Sequence, residues 1–364
     1  MSFDVAANDE FLLHLGGVTE HFHIAPHPAA ASFVHAMEGG KATVYRLLSD
    51  SETDSSGAPR QYALKVMKPV YSVPELANIT QNLGRLKALP GLRVCDRRSL
   101  TPQSAAATLR KYPELAYSTI MPWIEGKSWF ECLLELKDGS FALSKDQSVR
   151  LAQNFCAVLG QLERGGLAHC DLSAGNVMLD PATFTLDMVD VEDMFAPGFQ
   201  PPSALPAGTP GYQHRSSAGG QWSATADRFA AAILLSEMLV LHDPATVRAA
   251  SLESYFEPGE LQTSGSQRYA VMRNAITAYS GRLADLLDRA WQSNTLEECP
   301  RIEDWEHALI SRHIQFVPLP APEAVPEPTP SWSPLRIEEQ PPTVRFSGPL
   351  QPEPSAQPII RWEK

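Results

Sequence analysis

The stretch His169-Cys170-Asp171-Leu172-Ser173-Ala174-Gly175-Asn176-Val177-Met178-Leu179 is followed, after a turn at Asp180-Pro181, by a short strand expected over 184–189 and then by Asp190-Val191-Glu192. This run decides the reading of the chain. It sets an aspartate, an asparagine five residues on and a second aspartate fourteen beyond that around one turn-strand-turn unit. Taken singly, an Asp beside a turn more often satisfies backbone groups than reacts. As a set, the three suit phosphoryl transfer: one carboxylate orients an incoming hydroxyl and accepts its proton, while an amide oxygen and another carboxylate hold a divalent cation against a triphosphate.

On these residues the chain resembles the protein-kinase family, whose catalytic loop reads H-R-D-L-x-x-x-N and whose metal-binding turn reads D-F-G. The resemblance implies Asp171 as catalytic base, Asn176 and Asp190 as Mg²⁺ ligands, and ATP as donor. Upstream, Glu38-Gly39-Gly40-Lys41-Ala42-Thr43-Val44-Tyr45 resembles the end of the glycine-rich loop over the phosphates, with Gly39 at the second glycine, Ala42 at the third and Met37 at the first. Glycines there let backbone N–H groups approach an anion. By the same resemblance Gly40 and Val44 also contact the nucleotide. Tyr62-Ala63-Leu64-Lys65-Val66 looks like the strand that carries the kinase lysine, making Lys65 the α/β-phosphate contact and Ala63 an adenine neighbour. For the glutamate that should hold Lys65, the chain offers Glu75, ten residues on and close to a helix start; the more usual separation holds Thr80, Gln81 and Asn82. A glutamate there also simply favours the helix dipole.

Ile120-Met121-Pro122-Trp123-Ile124-Glu125-Gly126 resembles the hinge between kinase lobes, with Met121 as gatekeeper and Trp123 and Ile124 facing adenine. Pro122 has no N–H, so an adenine hydrogen bond must come from a neighbour. Gly208-Thr209-Pro210-Gly211-Tyr212 resembles the loop that seats a substrate peptide, with Thr209 bonding near Asp171, and Asp227 resembles the structural aspartate that holds the catalytic-loop backbone. The resemblance spans residues 38–307, and phrases such as ALKVMKP, LPGLR, MPWIEG and VDVEDMFAPG are similar to those of a group of bacterial kinase-like proteins. Cys170 replaces the usual Arg, Ser173 the usual Lys and Val191-Glu192 the usual Phe-Gly. Glu192 reads as an added anion beside the metal site that would slow turnover.

The fold expected is α+β and bilobal: an extension over 1–30, a small β-rich lobe over 31–122 and a larger helical lobe over 123–316. A hairpin is expected from strands over 42–48 and 62–67 joined by a loop over 49–60. Helical periodicity marks 148–160 and 284–292, and residues 226–240 are apolar enough to be buried on most faces. From about Val317 the composition changes: 13 of the 31 prolines fall between Pro318 and Pro358. That tail, 317–364, is expected to be disordered or polyproline-like, a solvated segment or a ligand for a proline-reading module. A net charge of −12 argues against a nucleic-acid partner. No apolar run is long enough to span a membrane, and no leader is apparent. Five scattered cysteines fit a reducing cytoplasm. The expected activity is therefore an ATP- and Mg²⁺-dependent serine/threonine protein kinase that also phosphorylates itself, its protein substrate unknown. The alternatives are a nucleotide-binding pseudokinase scaffold and a small-molecule kinase of the aminoglycoside type, against which the 208–212 segment argues.

Overall fold

The computed structural model describes residues 3–310. The expected tail over 317–364 lies outside them. In chain order the elements are β1 (Glu10–Leu15), β2 (Val18–Ile24), β3 (Pro26–His27), β4 (Ala30–Val34), β5 (Ala36–Glu38), β6 (Ala42–Thr53), β7 (Pro59–Met67), α1 (Glu75–Leu83), β8 (Arg98–Ser99), α2 (Ala106–Lys111), β9 (Thr119–Pro122), β10 (Lys127–Ser128), α3 (Trp129–Asp138), α4 (Lys145–Arg164), β11 (Val177–Leu179), β12 (Leu186–Met188), α5 (Arg228–Val240), α6 (Pro244–Ala249), α7 (Gln267–Thr277), α8 (Gly281–Gln292) and α9 (Ile302–Ile310). Strands come early and helices later. The main sheet is antiparallel and curled, in the order β1-β2-β6-β7-β9-β8 with β5 also on β6.

The period of two along its strands sends successive side chains to opposite faces. Tyr45, Leu47, Leu64, Val66 and Ile120 join Phe11, Leu13, Leu15, Phe22 and Ile24 in one apolar core. Ala63 and Met121, paired across β7 and β9, belong instead to the larger core built by α3, α4, α5 and α8, with Val44 packed against it. Lys65 lies on that inner face, opposite Val44 in the β6–β7 register.

Of the expected extension over 1–30, the described residues 3–30 belong to the sheet lobe instead. Strands β1 and β2 fall within them and continue the sheet through pairs such as Phe22↔Ser49. Their buried positions alternate, but Glu10 and His14 on β1 and Thr19, His21 and His23 on β2 stand between them, so the segment reads as largely polar. The hairpin is also longer than expected: β6 and β7 reach Thr53 and Pro59, and Asp54 Oδ1 accepts from Ser56 N (2.8 Å) and Ala58 N (3.1 Å) to close the turn. Exposed strand ends carry no apolar alternation to reveal them.

The helices start where side chains can take up the free N–H groups of the first turn. Ser128 with Glu131 caps α3 and Ser144 with Gln147 caps α4, each in a reciprocal capping box. Helix α5 is buried from Phe229 to Val240, including Glu237. Among the described residues no helix is long and apolar enough to cross a membrane.

Candidate active site

The loop bearing Asp171 is held from below. Asp227, at the start of α5, accepts from His169 N (2.6 Å) and Cys170 N (2.9 Å). Cys170 has φ of 67°, a left-handed conformation that costs a non-glycine residue about 1 kcal/mol or more. The two bonds to one buried carboxylate offset that strain. Burial, with the Asp227 carboxylate adding to it, pushes the Cys170 thiol well above its usual range, so it is an inert packing group among Ala168, Ala226, Phe195 and Trp222.

Asp171 then stands partly exposed, and Thr209 Oγ1 donates to its Oδ1 at 2.9 Å. Asn176 Nδ2 donates to Asp171 O at 2.8 Å, which leaves its amide oxygen as the atom suited to a cation. Val189 N donates to Asn176 O at 3.0 Å, tying the asparagine to the end of the β12 segment. Asp190 follows immediately, also left-handed at φ 57°. Thus β11 and β12, a pair of three-residue antiparallel strands, bring Asn176 and Asp190 to one end of a small sheet.

Lys65 reaches this turn from β7. Its Nζ lies 2.9 Å from Asp190 Oδ1 and 2.7 Å from Glu192 Oε2. Burial opposes the lysine's charge, but Glu192 and Asp190 outweigh it and hold the ammonium protonated, above the usual lysine range. Glu192 Oε1 accepts from Arg97 Nη1 at 2.7 Å. Burial would raise the Glu192 carboxyl; Lys65 and Arg97 prevail and hold it well below the carboxylate range. Above them Lys41, in the turn after β5, reaches Asp193 Oδ2 at 3.0 Å.

This geometry corrects two expectations. Glu75 is exposed in the first turn of α1 and does not partner Lys65, whose ion pairs are with Asp190 and Glu192. The buried polar residue on α1 is Thr80, whose Oγ1 lies 3.5 Å from Oγ1 of Thr119, the β9 partner of Lys65. Nor is Glu192 a surplus anion, because two cations neutralise it. Sequence reasoning missed Arg97 entirely: 95 residues separate it from Glu192, and nothing in its local run distinguishes it from neighbouring Arg93 and Arg98.

The remaining expected residues surround the end of β6, β7 and β9. Gly39 and Gly40 form the turn between β5 and β6, where Gly39 N donates to Ala42 O at 2.8 Å and a side chain on Gly40 would meet open space. Ala63, Met121 and Ile124 are buried together, with Val44 and Trp123 packed against them. Trp123 N donates to Gln61 O at 3.2 Å, and its ring lies beneath the Arg46 guanidinium at 5.2 Å.

Among the described residues no three His, Cys, Asp or Glu side chains could hold a metal between them. Asn176 and Asp190 offer hard oxygen donors and are few. That suits Mg²⁺, which typically binds through one or two carboxylates with waters and substrate phosphates completing its shell. No family model matches the chain, and no curated protein matches it.

Proposed function

We propose that this chain is a protein-kinase-like phosphotransferase, with a small sheet lobe above a helical lobe, that moves the γ-phosphoryl group of Mg·ATP to a serine or threonine hydroxyl. The observation that carries the reading is the convergence of Lys65 on β7, Asp171 and Asn176 in one loop, Asp190 in the turn after β12 and Thr209 in a later loop on one locality. Asn176 and Asp190 would hold Mg²⁺, which supplies charge neutralisation between the phosphates. Lys65 binds and orients the phosphates, and Asp171 accepts the proton of the acceptor hydroxyl. Thr209 fixes the rotamer of Asp171 by donating to the oxygen that does not take the proton, and Asp227 keeps the loop from relaxing.

Radiolabel transfer from Mg·ATP to the protein itself and to a generic protein acceptor tests the assignment. Asp171→Asn is expected to lower transfer by about three orders of magnitude or more while leaving the fold intact. Unchanged transfer by that variant rejects the role of Asp171.

A second reading, a nucleotide-binding scaffold without transfer, is favoured by one observation: the Lys65 ammonium is paired with Asp190, the carboxylate that a metal would need. Thermal stabilisation by Mg·ATP with no label transferred to any acceptor would select it.

A further inference from the structure

Lys65 is held by two carboxylates from one short turn, and the two are not equivalent. Asp190 is half-buried and sits at the proposed metal position. Glu192 is more deeply placed, and its second oxygen is already committed to Arg97. Arg97 is itself immobilised: its side chain is 1% exposed, Nε donates to Val94 O at 2.8 Å and Nη2 lies 3.0 Å from Met121 Sδ. Helix α1 presents Thr80 to the sheet at this level and keeps Glu75 at the surface.

We propose that Glu192, fixed by Arg97, is the positioning residue that aims Lys65 at the phosphates of a nucleotide. The proposal rests on the phosphotransferase reading above. A lysine held only by a metal-ligating carboxylate would lose that partner whenever the carboxylate turned to a cation; Glu192 has no such second task. Arg97 in turn satisfies the oxygen that Lys65 does not reach, so the buried carboxylate is not left half-paired. The lysine's anchor and the metal ligand then share a single turn, 190–193, and are placed together. No movement of α1 is needed to assemble them.

Titration calorimetry of full-length protein with adenosine and with a non-hydrolysable ATP analogue plus Mg²⁺ tests this. Glu192→Gln is expected to weaken analogue binding about tenfold or more, and Arg97→Met severalfold, because each breaks a charge-assisted bond. Adenosine binding should be unchanged in Glu192→Gln, since Lys65 touches phosphates alone, whereas a merely structural role would weaken adenosine in parallel. Glu75→Ala should bind both ligands like the wild type. If Glu192→Gln does not fold, Arg97→Met/Glu192→Leu, which removes both buried charges together, carries the same expectation. Wild-type binding of the analogue with its affinity retained in Glu192→Gln or in the double variant overturns the positioning role, as does a parallel loss of adenosine. Failure of the wild type to bind the analogue overturns the underlying reading of the site.

Discussion

Leu64 and Lys65 are neighbours on β7 and both are buried, yet they face different worlds. Leu64, at 0% exposure, sits with Tyr45, Leu47, Val66 and Ile120 in a core that contains no charged residue. Lys65, at 7%, belongs to a network of four charged side chains with Asp190, Glu192 and Arg97. On the first face stability comes from apolar area removed from water. On the second, attraction is largely cancelled by the cost of taking charges out of water, so the network fixes position more than it stabilises. One strand thus holds the fold with one side and arranges a site with the other.

The sharpest way to break that contrast is to truncate each side. Leu64→Ala should lower stability by about 3 kcal/mol, the loss of transfer energy plus an unfilled cavity. Lys65→Met keeps the chain length and leaves Glu192 with Arg97; its cost should be about 1 kcal/mol, while phosphate-dependent nucleotide binding is lost. Urea unfolding midpoints decide. A Lys65→Met penalty equal to that of Leu64→Ala would mean that the inner face holds the fold after all.

A second buried carboxylate on the helical side sharpens the comparison by lacking any cation. Glu237 on α5 accepts from Trp129 Nε1 (2.9 Å), Tyr212 OH (3.1 Å) and Tyr255 N (2.9 Å). Burial raises its pKa to about 7 against these neutral donors, the opposite direction from Glu192. In the unfolded chain Glu237 ionises near its ordinary value of 4.5; in the folded protein it keeps its proton to about pH 7. The native state therefore binds more protons across that window, so this group's contribution falls as pH rises from about 4.5 to 7 and is flat above. At about 1.4 kcal/mol per pH unit the full effect is on the order of 3 kcal/mol at most. Glu237→Gln should remove the slope. Compared with wild type, it should gain stability at pH 8 relative to pH 5 in thermal melts, and a gain confined to pH 5 would contradict the buried-acid account.

The legible parts of the molecule were those where chemistry is written locally. Asp171, Asn176 and Asp190 come from a single turn-strand-turn unit, and the structure brings their segments together through β11 and β12. The apolar run over 226–240 reappears as the buried α5, because burial on all faces leaves a mark in composition. What escaped was long-range: Arg97 meets Glu192 across 95 residues, and Lys41 meets Asp193 across 152. A charge says nothing locally about which charge it will face. Glu75 shows the converse error, since its position at a helix start near Lys65 in sequence suggested a pair that the fold does not make. The sheet strands β1 and β2 were missed because their second face is polar.

The smallest expected effect concerns the segment between Asp190 and Gly208, and it again separates residues that arrange the site from residues that merely lie beside it. In many kinases an arginine before the catalytic aspartate is a buried cation that needs an activation-segment phosphate to settle it. Under the proposed reading that position is Cys170, uncharged and packed with Phe195 and Trp222, whose rings meet edge to face at 4.9 Å. The segment is fastened by hydrogen bonds of its own: Phe195 N donates to Ala168 O (2.8 Å), Ala168 N to Phe195 O (3.1 Å) and Trp222 Nε1 to Asp193 O (3.0 Å). Four prolines, Pro197, Pro201, Pro202 and Pro206, further restrict it, and its one hydroxyl residue, Ser203, is exposed. Our hypothesis is that transfer needs no phosphorylation of this segment. Thr209→Ala, which removes the bond to Asp171, should lower turnover about tenfold. Ser203→Ala should leave turnover within about twofold of wild type, as expected of a surface change remote from the reacting groups. A silent Ser203→Ala that Ser203→Glu restores would show that a charge at that position completes the site, and the contrast between the two hydroxyls would be lost.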